Sequence, residues 1–235
     1  PVAGERSAPA DPRDYARALA WAADRWKGQV QAWEVWNEPN SDDFFDQGTP
    51  QQYTELLCTA YRTVQDRVAN PPTIVYGGTV HNDFEWIRRT YDAGVKGCFD
   101  AMATHPYVGP ADASPSTGGK DHIWDFASVE VVRELMLARG DDKPIWATEF
   151  GWSSHGNRGD EPSWSRGVTE AQQADYTVAA LRLFRRDHPY VTHAFVYNER
   201  EKQTSDPHQN GYGIMRRDLS PKPVYQALRD YLTGD

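Results

Sequence analysis

The sequence predicts an α/β fold with parallel strands, on three observations. Five strand-like segments alternate strictly with six helix-like segments along the chain. Short connections between such elements are typical of parallel strands joined by right-handed crossovers. No glycine-rich nucleotide-binding motif follows any strand, which disfavours the nucleotide-binding doubly wound folds. The 235 residues are enough for one domain with a substantial core.

The helices are predicted from their starting residues and from apolar residues of helical period. Asp11 stands before a proline, Thr49 before Pro-Gln-Gln and Thr169 before Glu-Ala-Gln, and such residues are typical of helix starts. Gly94 and Gly140 end two further helices. The predicted helices cover residues 11–26, 49–68, 84–91, 127–137, 169–186 and 224–232.

The strands are predicted from short apolar segments rich in β-branched and aromatic residues. They cover residues 30–36, 73–78, 99–105, 144–149 and 191–197. Loops rich in glycine, serine, proline and charged residues follow three of them, at residues 109–121, 153–167 and 199–211.

Composition excludes several classes of function. The net charge is −9 and the basic residues are scattered, so neither nucleic acid nor an anionic membrane surface is an expected partner. No stretch approaches the ~20 apolar residues of a membrane span. No spacing of His, Asp or Glu suggests a metal site, and no cofactor motif is present, so we expect neither. Cys58 and Cys98 are expected as two free, partly buried thiols, with a disulfide between them as the alternative.

Two glutamates stand out by position. Glu38 closes the first predicted strand in the motif WEVWNEPN, and Glu149 closes the fourth in the motif PIWATEFGW. The carboxyl ends of parallel strands converge on one face of a barrel, where active sites are built. A single glutamate is more often a solvated surface charge, but two that each end an apolar, Trp-flanked strand point to chemistry. We therefore predict that Glu38 and Glu149 are catalytic.

These motifs resemble clan A of the glycoside hydrolases, particularly the enzymes of families 39 and 5. In that clan an Asn-Glu pair ends strand four and supplies the acid/base, and a Glu ending strand seven is the nucleophile. NEP at residues 37–39 and TEFG at residues 148–151 match those signatures. The resemblance implies a (β/α)8 TIM barrel and a retaining glycosidase acting by double displacement on a β-glycoside or related furanoside of a poly- or oligosaccharide. For retention the two carboxyl groups should lie about 5–5.5 Å apart, one protonated and one ionised.

Five further residues are predicted to bind the sugar. By resemblance, Asn37 would hydrogen-bond the sugar 2-hydroxyl, and His105 or Tyr107 would lie beside the nucleophile. Trp152 is predicted as a subsite wall, with simple packing as the alternative. Tyr197 ends the last strand, where the clan often has Trp. Glu34, inside the barrel, would need a partner for its charge.

The strand count departs from the clan pattern. Glu38 should lie on strand four, yet only one strand is predicted up to it, so we recognise strands 4–8 and expect strands 1–3 to be absent from this chain. We expect residues 1–235 to form a single catalytic domain that is the C-terminal portion of a TIM barrel. A fragment of a longer enzyme, loss of a cleaved N-terminal piece, or a partner chain supplying the strands would each explain the deficit.

A second class of function is a catalytically inactive carbohydrate-binding or scaffold fragment on the same barrel. Other barrel enzymes, such as metal-dependent hydrolases or aldolases, are disfavoured because neither a ligand cluster nor a strand-end lysine is present. The expected location is secreted or associated with the cell envelope, although no signal segment is visible in this chain.

Overall fold

A computed structural model describes residues 6–234 of the chain. Its strands are β1 (Ala32–Val35), β2 (Thr73–Tyr76), β3 (Thr79–Val80), β4 (Met102–His105), β5 (Ile145–Phe150) and β6 (Val191–Val196). Its helices are α1 (Pro12–Arg25), α2 (Pro50–Arg67), α3 (Phe84–Asp92), α4 (Val129–Ala138), α5 (Glu170–Asp187), α6 (Pro207–Asn210) and α7 (Pro223–Thr233). None of the described helices combines the length and the apolar composition that a membrane span requires.

The chain divides into two compact units. Unit 1 contains residues 6–104 and Val131–Trp146, and unit 2 contains His105–Glu130 and residues 147–234. The expectation of a single domain stays a prediction.

Unit 1 holds the parallel strand pairs that the alternation predicts. β1 pairs in parallel with β2, in a register that sets Ala32 opposite Thr73 and Val35 opposite Tyr76. A parallel bridge joins Val75 of β2 to Ala101, directly before β4. The next strand along is β5, since Met102 N donates to Pro144 O at 3.0 Å. Apart from the two-residue β3, the strands of unit 1 are therefore neighbours in space in the order in which they follow one another in sequence, as short right-handed crossovers require.

The helices of unit 1 cover this sheet, and their starts match the sequence signals. Asp11 caps α1 by accepting from Arg13 N, and Thr49 forms a capping box with Gln52 at the start of α2. α1 packs on α2, and α2 packs on α3. Under α2, Tyr53 is fully buried and meets Tyr76 of β2 edge to face.

Unit 2 is built on the later residues of β5 and on β6. Tyr197 N, just after β6, donates to Phe150 O at 2.9 Å. α5 packs against β6 and α7, and Phe126, Phe150, Trp152 and Phe184 form the large side chains of the core. This core anchors the end of β5, where Glu149 lies.

The structure corrects one prediction about the fold and adds two elements. Cys58 and Cys98 form a disulfide with a Cα–Cα distance of 4.7 Å, so the expectation of free thiols is wrong. The two cysteines have a sequence separation of 40, and the segment between them includes β2 and α3, which bring its two ends together. Neither the two-residue β3 nor the four-residue α6 was predicted from the sequence.

Candidate active site

Glu38 lies in unit 1, on the loop that follows β1. The backbone is left-handed at Trp36 (φ 75°) and again at Glu38 (φ 46°). Glu38 N donates to Gly78 O, and Ser41 N donates to Glu38 O, both at 3.0 Å. The Glu38 residue is only 9% exposed. The loop therefore holds a largely buried glutamate at the end of a parallel strand, where barrel active sites form.

A buried tyrosine and a barrel glutamate hold the base of this loop. Tyr53 Oη donates to Val35 O at 3.1 Å and accepts from Gly77 N at 2.6 Å. Glu34 Oε1 accepts from Gly78 N at 2.6 Å, and the partner expected for its charge stays a prediction. A Cβ at residue 77 would lie 2.5 Å from Val35 O, so only glycine lets the two strand ends approach this closely.

Asn40 extends the same support to β3. Its Oδ1 accepts from Val80 N at 2.9 Å, while its Nδ2 donates to Asp83 Oδ2 at 2.9 Å and to Val80 O at 3.2 Å. The amide thus fixes the chain two residues beyond Glu38 to the start of α3. Asn40 is the last residue of the motif WEVWNEPN, but no role was predicted for it from the sequence.

Asn37 lines an open cleft of about 600 Å³ in unit 1, together with Arg6, Trp36, Asp43 and Phe44. Trp36 Nε1 donates to Phe44 O at 2.9 Å, and Phe44 is 43% exposed. Asn37 therefore faces a space that a small polar ligand could enter. Its predicted contact with a sugar hydroxyl stays a prediction.

Glu149 lies in unit 2, one residue before the end of β5. Tyr107 Oη donates to Glu149 Oε2 at 2.9 Å, and His105 Nδ1 lies 3.9 Å from the same oxygen. Burial, followed by the charge of Glu149, raises the pKa of Tyr107 well above its usual value. Tyr107 therefore stays protonated at neutral pH and donates to the carboxylate. Both His105 and Tyr107 lie beside Glu149, as the resemblance implied.

Three tyrosine rings pack together beside Glu149. Tyr107 lies 5.8 Å from Tyr212 and 6.4 Å from Tyr197, and the last two rings lie 5.5 Å apart, all at steep angles. Lys202 Nζ lies 4.7 Å above the Tyr197 ring. Tyr212 was not among the predicted site residues, because no local pattern connects it to Glu149.

Trp152 is a core residue rather than a wall of the site. It is 2% exposed, and its Nε1 donates to Ala113 O at 2.8 Å. The residue packs in the core of unit 2 with Phe150 and Val168. The prediction that Trp152 forms a subsite wall is therefore wrong, and the packing alternative is correct. Trp152 lies three residues after Glu149 in the sequence, but beyond the end of β5 its ring points into the core of unit 2.

Comparison with known proteins identifies the family. The sequence model described as Glycosyl hydrolases family 39 matches residues 24–233, nearly the whole chain. The chain belongs to glycosyl hydrolase family 39. One relative of this family 39 chain is a protein named Beta-xylosidase from Caldicellulosiruptor saccharolyticus, 26% identical over 220 residues, which cover 89% of this chain and 43% of that protein.

Solved structures agree with this membership. A family 39 glycoside hydrolase from Bacteroides cellulosilyticus WH2 matches with a TM-score of 0.69 and 28% identity, over 94% of this chain and 45% of that one. A family 39 enzyme from Xanthomonas axonopodis pv. citri matches with a TM-score of 0.70 and 20% identity, over 98% and 47% of the two chains. The family 39 chain thus spans about half the length of these relatives. The predicted fold class, strands 4–8 of a clan A (β/α)8 barrel, is confirmed.

Proposed function

We propose that this family 39 chain carries the catalytic carboxyl groups of a retaining glycoside hydrolase. The observation that carries the proposal is the hydrogen bond from the protonated Tyr107 to Glu149 Oε2 at the end of β5. A hydroxyl donor stabilises the ionised form of a carboxylate, which is the form a nucleophile needs. Glu149 is therefore the proposed nucleophile, and Glu38 is the proposed acid/base.

In the first step, a Glu149 oxygen forms a bond to the anomeric carbon while the bond from that carbon to the leaving oxygen breaks. Tyr107 occupies Oε2, which leaves the other carboxylate oxygen for attack. Glu38 gives its proton to the departing oxygen, so the leaving group departs as a neutral alcohol. The product of this step is a glycosyl ester of Glu149.

In the second step, Glu38 acts as the base that takes a proton from water, and the water oxygen replaces Glu149 at the anomeric carbon. Two displacements at one carbon restore its original configuration, which is the meaning of retention. The mechanism requires the two carboxyl groups to lie about 5–5.5 Å apart in the working enzyme. This separation stays a prediction.

The proposed substrate is a β-linked glycoside of an oligo- or polysaccharide, and a β-xyloside is the first candidate because a relative is named Beta-xylosidase. Asn37 is the proposed partner of the sugar 2-hydroxyl, and Tyr197 is a proposed contact of the sugar ring. Family membership supports an enzyme over an inactive carbohydrate-binding fragment. A location outside the cytoplasm is also proposed, since the Cys58–Cys98 disulfide is typical of oxidising compartments.

The test compares Glu149→Ala and Glu38→Ala on aryl β-xylosides. Glu149→Ala should abolish turnover, and added azide should restore it by giving a glycosyl azide of inverted configuration. Glu38→Ala should keep activity on aryl groups that leave easily and lose it on poor leaving groups, which need the proton. Glu55→Ala, on an exposed position of α2, is the matched control and should behave as the wild type.

Two outcomes count against the proposal. Azide rescue of Glu38→Ala that gives a glycosyl azide of inverted configuration would reverse the two roles, because an acid/base variant should give the retained azide. A folded wild-type chain that turns over no aryl glycoside would show that this chain alone is not the enzyme, and sugar binding without turnover would then favour the inactive fragment.

A further inference from the structure

Lys222 is a buried cation with a small set of partners. Its side chain has no exposed area, and it precedes the first residue of α7. Its Nζ donates to Gly211 O at 2.9 Å and lies 3.2 Å from Glu201 Oε1. Burial lowers the pKa of Lys222, while Glu201 opposes this shift. Keeping a charged amine in the interior is costly, so its two partners must be held firmly in place.

The Gly211 carbonyl is a point where several donors meet. In addition to Lys222, it accepts from Ser154 N at 3.0 Å and from Gln173 Nε2 at 3.2 Å. Gln173 is 2% exposed, and its Nε2 also lies 3.2 Å from Tyr212 O. A Cβ at residue 211 would approach Ser154 O to 2.6 Å, so the chain is tightly enclosed here. Residues 211 and 212 are thus fixed from three sides.

Tyr212 connects this anchored segment to the proposed nucleophile. Its ring packs 5.8 Å from Tyr107, and its hydroxyl pairs with His208 Nε2 at 2.9 Å. Tyr107 in turn donates to Glu149. A displacement of the 211–212 backbone would therefore move the ring against which Tyr107 rests, and hydrogen bonds at a reacting group are sensitive to such small displacements.

We propose that Lys222 is a positioning residue that, through the Gly211–Tyr212 segment, holds Tyr107 in hydrogen-bond contact with Glu149. The inference rests on the proposed function for its catalytic meaning. Lys222 contacts neither the sugar nor the reacting carboxylate in this scheme. Gln173 holds the same segment through its neutral side-chain amide, which donates to Gly211 O and Tyr212 O.

The test follows the Tyr107 hydroxyl by nuclear magnetic resonance and needs no substrate. The protein is labelled with ¹³C at the tyrosine Cζ, the ring carbon that bears the hydroxyl, and Tyr107→Phe assigns its resonance. Glu149→Gln removes the charged acceptor, so the resulting change in the chemical shift of Tyr107 Cζ shows how far the resonance moves when this hydrogen bond is weakened. Lys222→Met should displace the Tyr107 resonance in the same direction and by a comparable amount. Lys143→Met, which removes an ion-paired lysine beside Asp141, is the matched control and should leave the resonance in place.

A lysine with a purely structural role would give a different result. Lys222→Met would then lower the melting temperature and leave the Tyr107 resonance at its wild-type position, which overturns the proposal. If Lys222→Met does not fold, Gln173→Met takes its place under the same criterion, since it removes a donor to Gly211 O without a change in charge. Because no turnover is measured, a failed glycosidase assay leaves this result intact. A stationary resonance in an active enzyme refutes the positioning role alone.

Discussion

Removal of the Cys58–Cys98 disulfide should lower the stability of unit 1 by a calculable amount. The bridge joins α2 to the turn before β4 and closes a loop with a sequence separation of 40. In the chain-entropy description, a loop of this length restricts the unfolded chain by about 4 kcal/mol at 25 °C. Both cysteines are buried, so their packing is also part of the core. We expect Cys58→Ala/Cys98→Ala to lose about 4 kcal/mol of unfolding free energy.

The assay is thermal unfolding followed by circular dichroism. For chains of this length, each kcal/mol corresponds to about 2–4 °C, so the midpoint should fall by roughly 8–16 °C. Wild-type protein that is unfolded, reduced and refolded under a thiol reductant is the control, because it keeps both sulfur atoms and loses only the bond. A similar drop in the two samples attributes the loss to the cross-link.

Two results would refute this reasoning. A midpoint shift of less than about 2 °C in both samples would mean that the unfolded chain is already restricted without the bond. A large drop in the alanine variant with none in the reduced wild type would assign the stability to packing of the sulfur atoms.

Two further predictions concern unit 2. Gly151→Ala places a Cβ 2.6 Å from Tyr197 O, so it should lower the free energy of unfolding by about 1–3 kcal/mol in a urea titration. Gly156→Ala is the control, because its Cβ meets nothing within 4 Å. Equal losses of unfolding free energy in the two variants would contradict the steric argument. His208 has a pKa lowered from 6.5, chiefly by burial, so the unfolded chain binds the proton first and stability should fall as the pH drops below about 6.5. His208→Gln should make the melting temperature less dependent on pH in that range, and an unchanged dependence would exclude this histidine as a cause.

Features set within one helical turn could be predicted from the sequence. Thr49 and Thr169 were expected at helix starts, and both form capping boxes with the residue three positions on. Such bonds depend on neighbours in sequence, so distant residues change them little. The strand that carries Glu149 was predicted for a similar reason, because a short buried strand is rich in apolar, β-branched and aromatic residues.

Features that depend on distant partners could not be predicted in this way. Lys222 has the appearance of a surface lysine between two prolines, and only the approach of Glu201 and Gly211 buries it. Tyr212 is one of twelve tyrosines, and nothing near it in sequence points to Tyr107. Trp152 was misassigned because nearness to Glu149 along the chain does not tell to which side of the strand end a ring turns.

The left-handed backbone at Glu38 has a consequence for protein engineering. A residue with a Cβ at φ 46° carries a conformational penalty of about 1 kcal/mol that glycine avoids and asparagine reduces. A mutant library selected for thermal stability alone should therefore enrich Gly or Asn at position 38 and discard the carboxyl group. Persistence of Glu in such a library would show that the surrounding loop already offsets the penalty. Any stabilisation campaign on this chain therefore needs a selection for turnover at the same time, because at this position improved folding and chemistry favour different side chains.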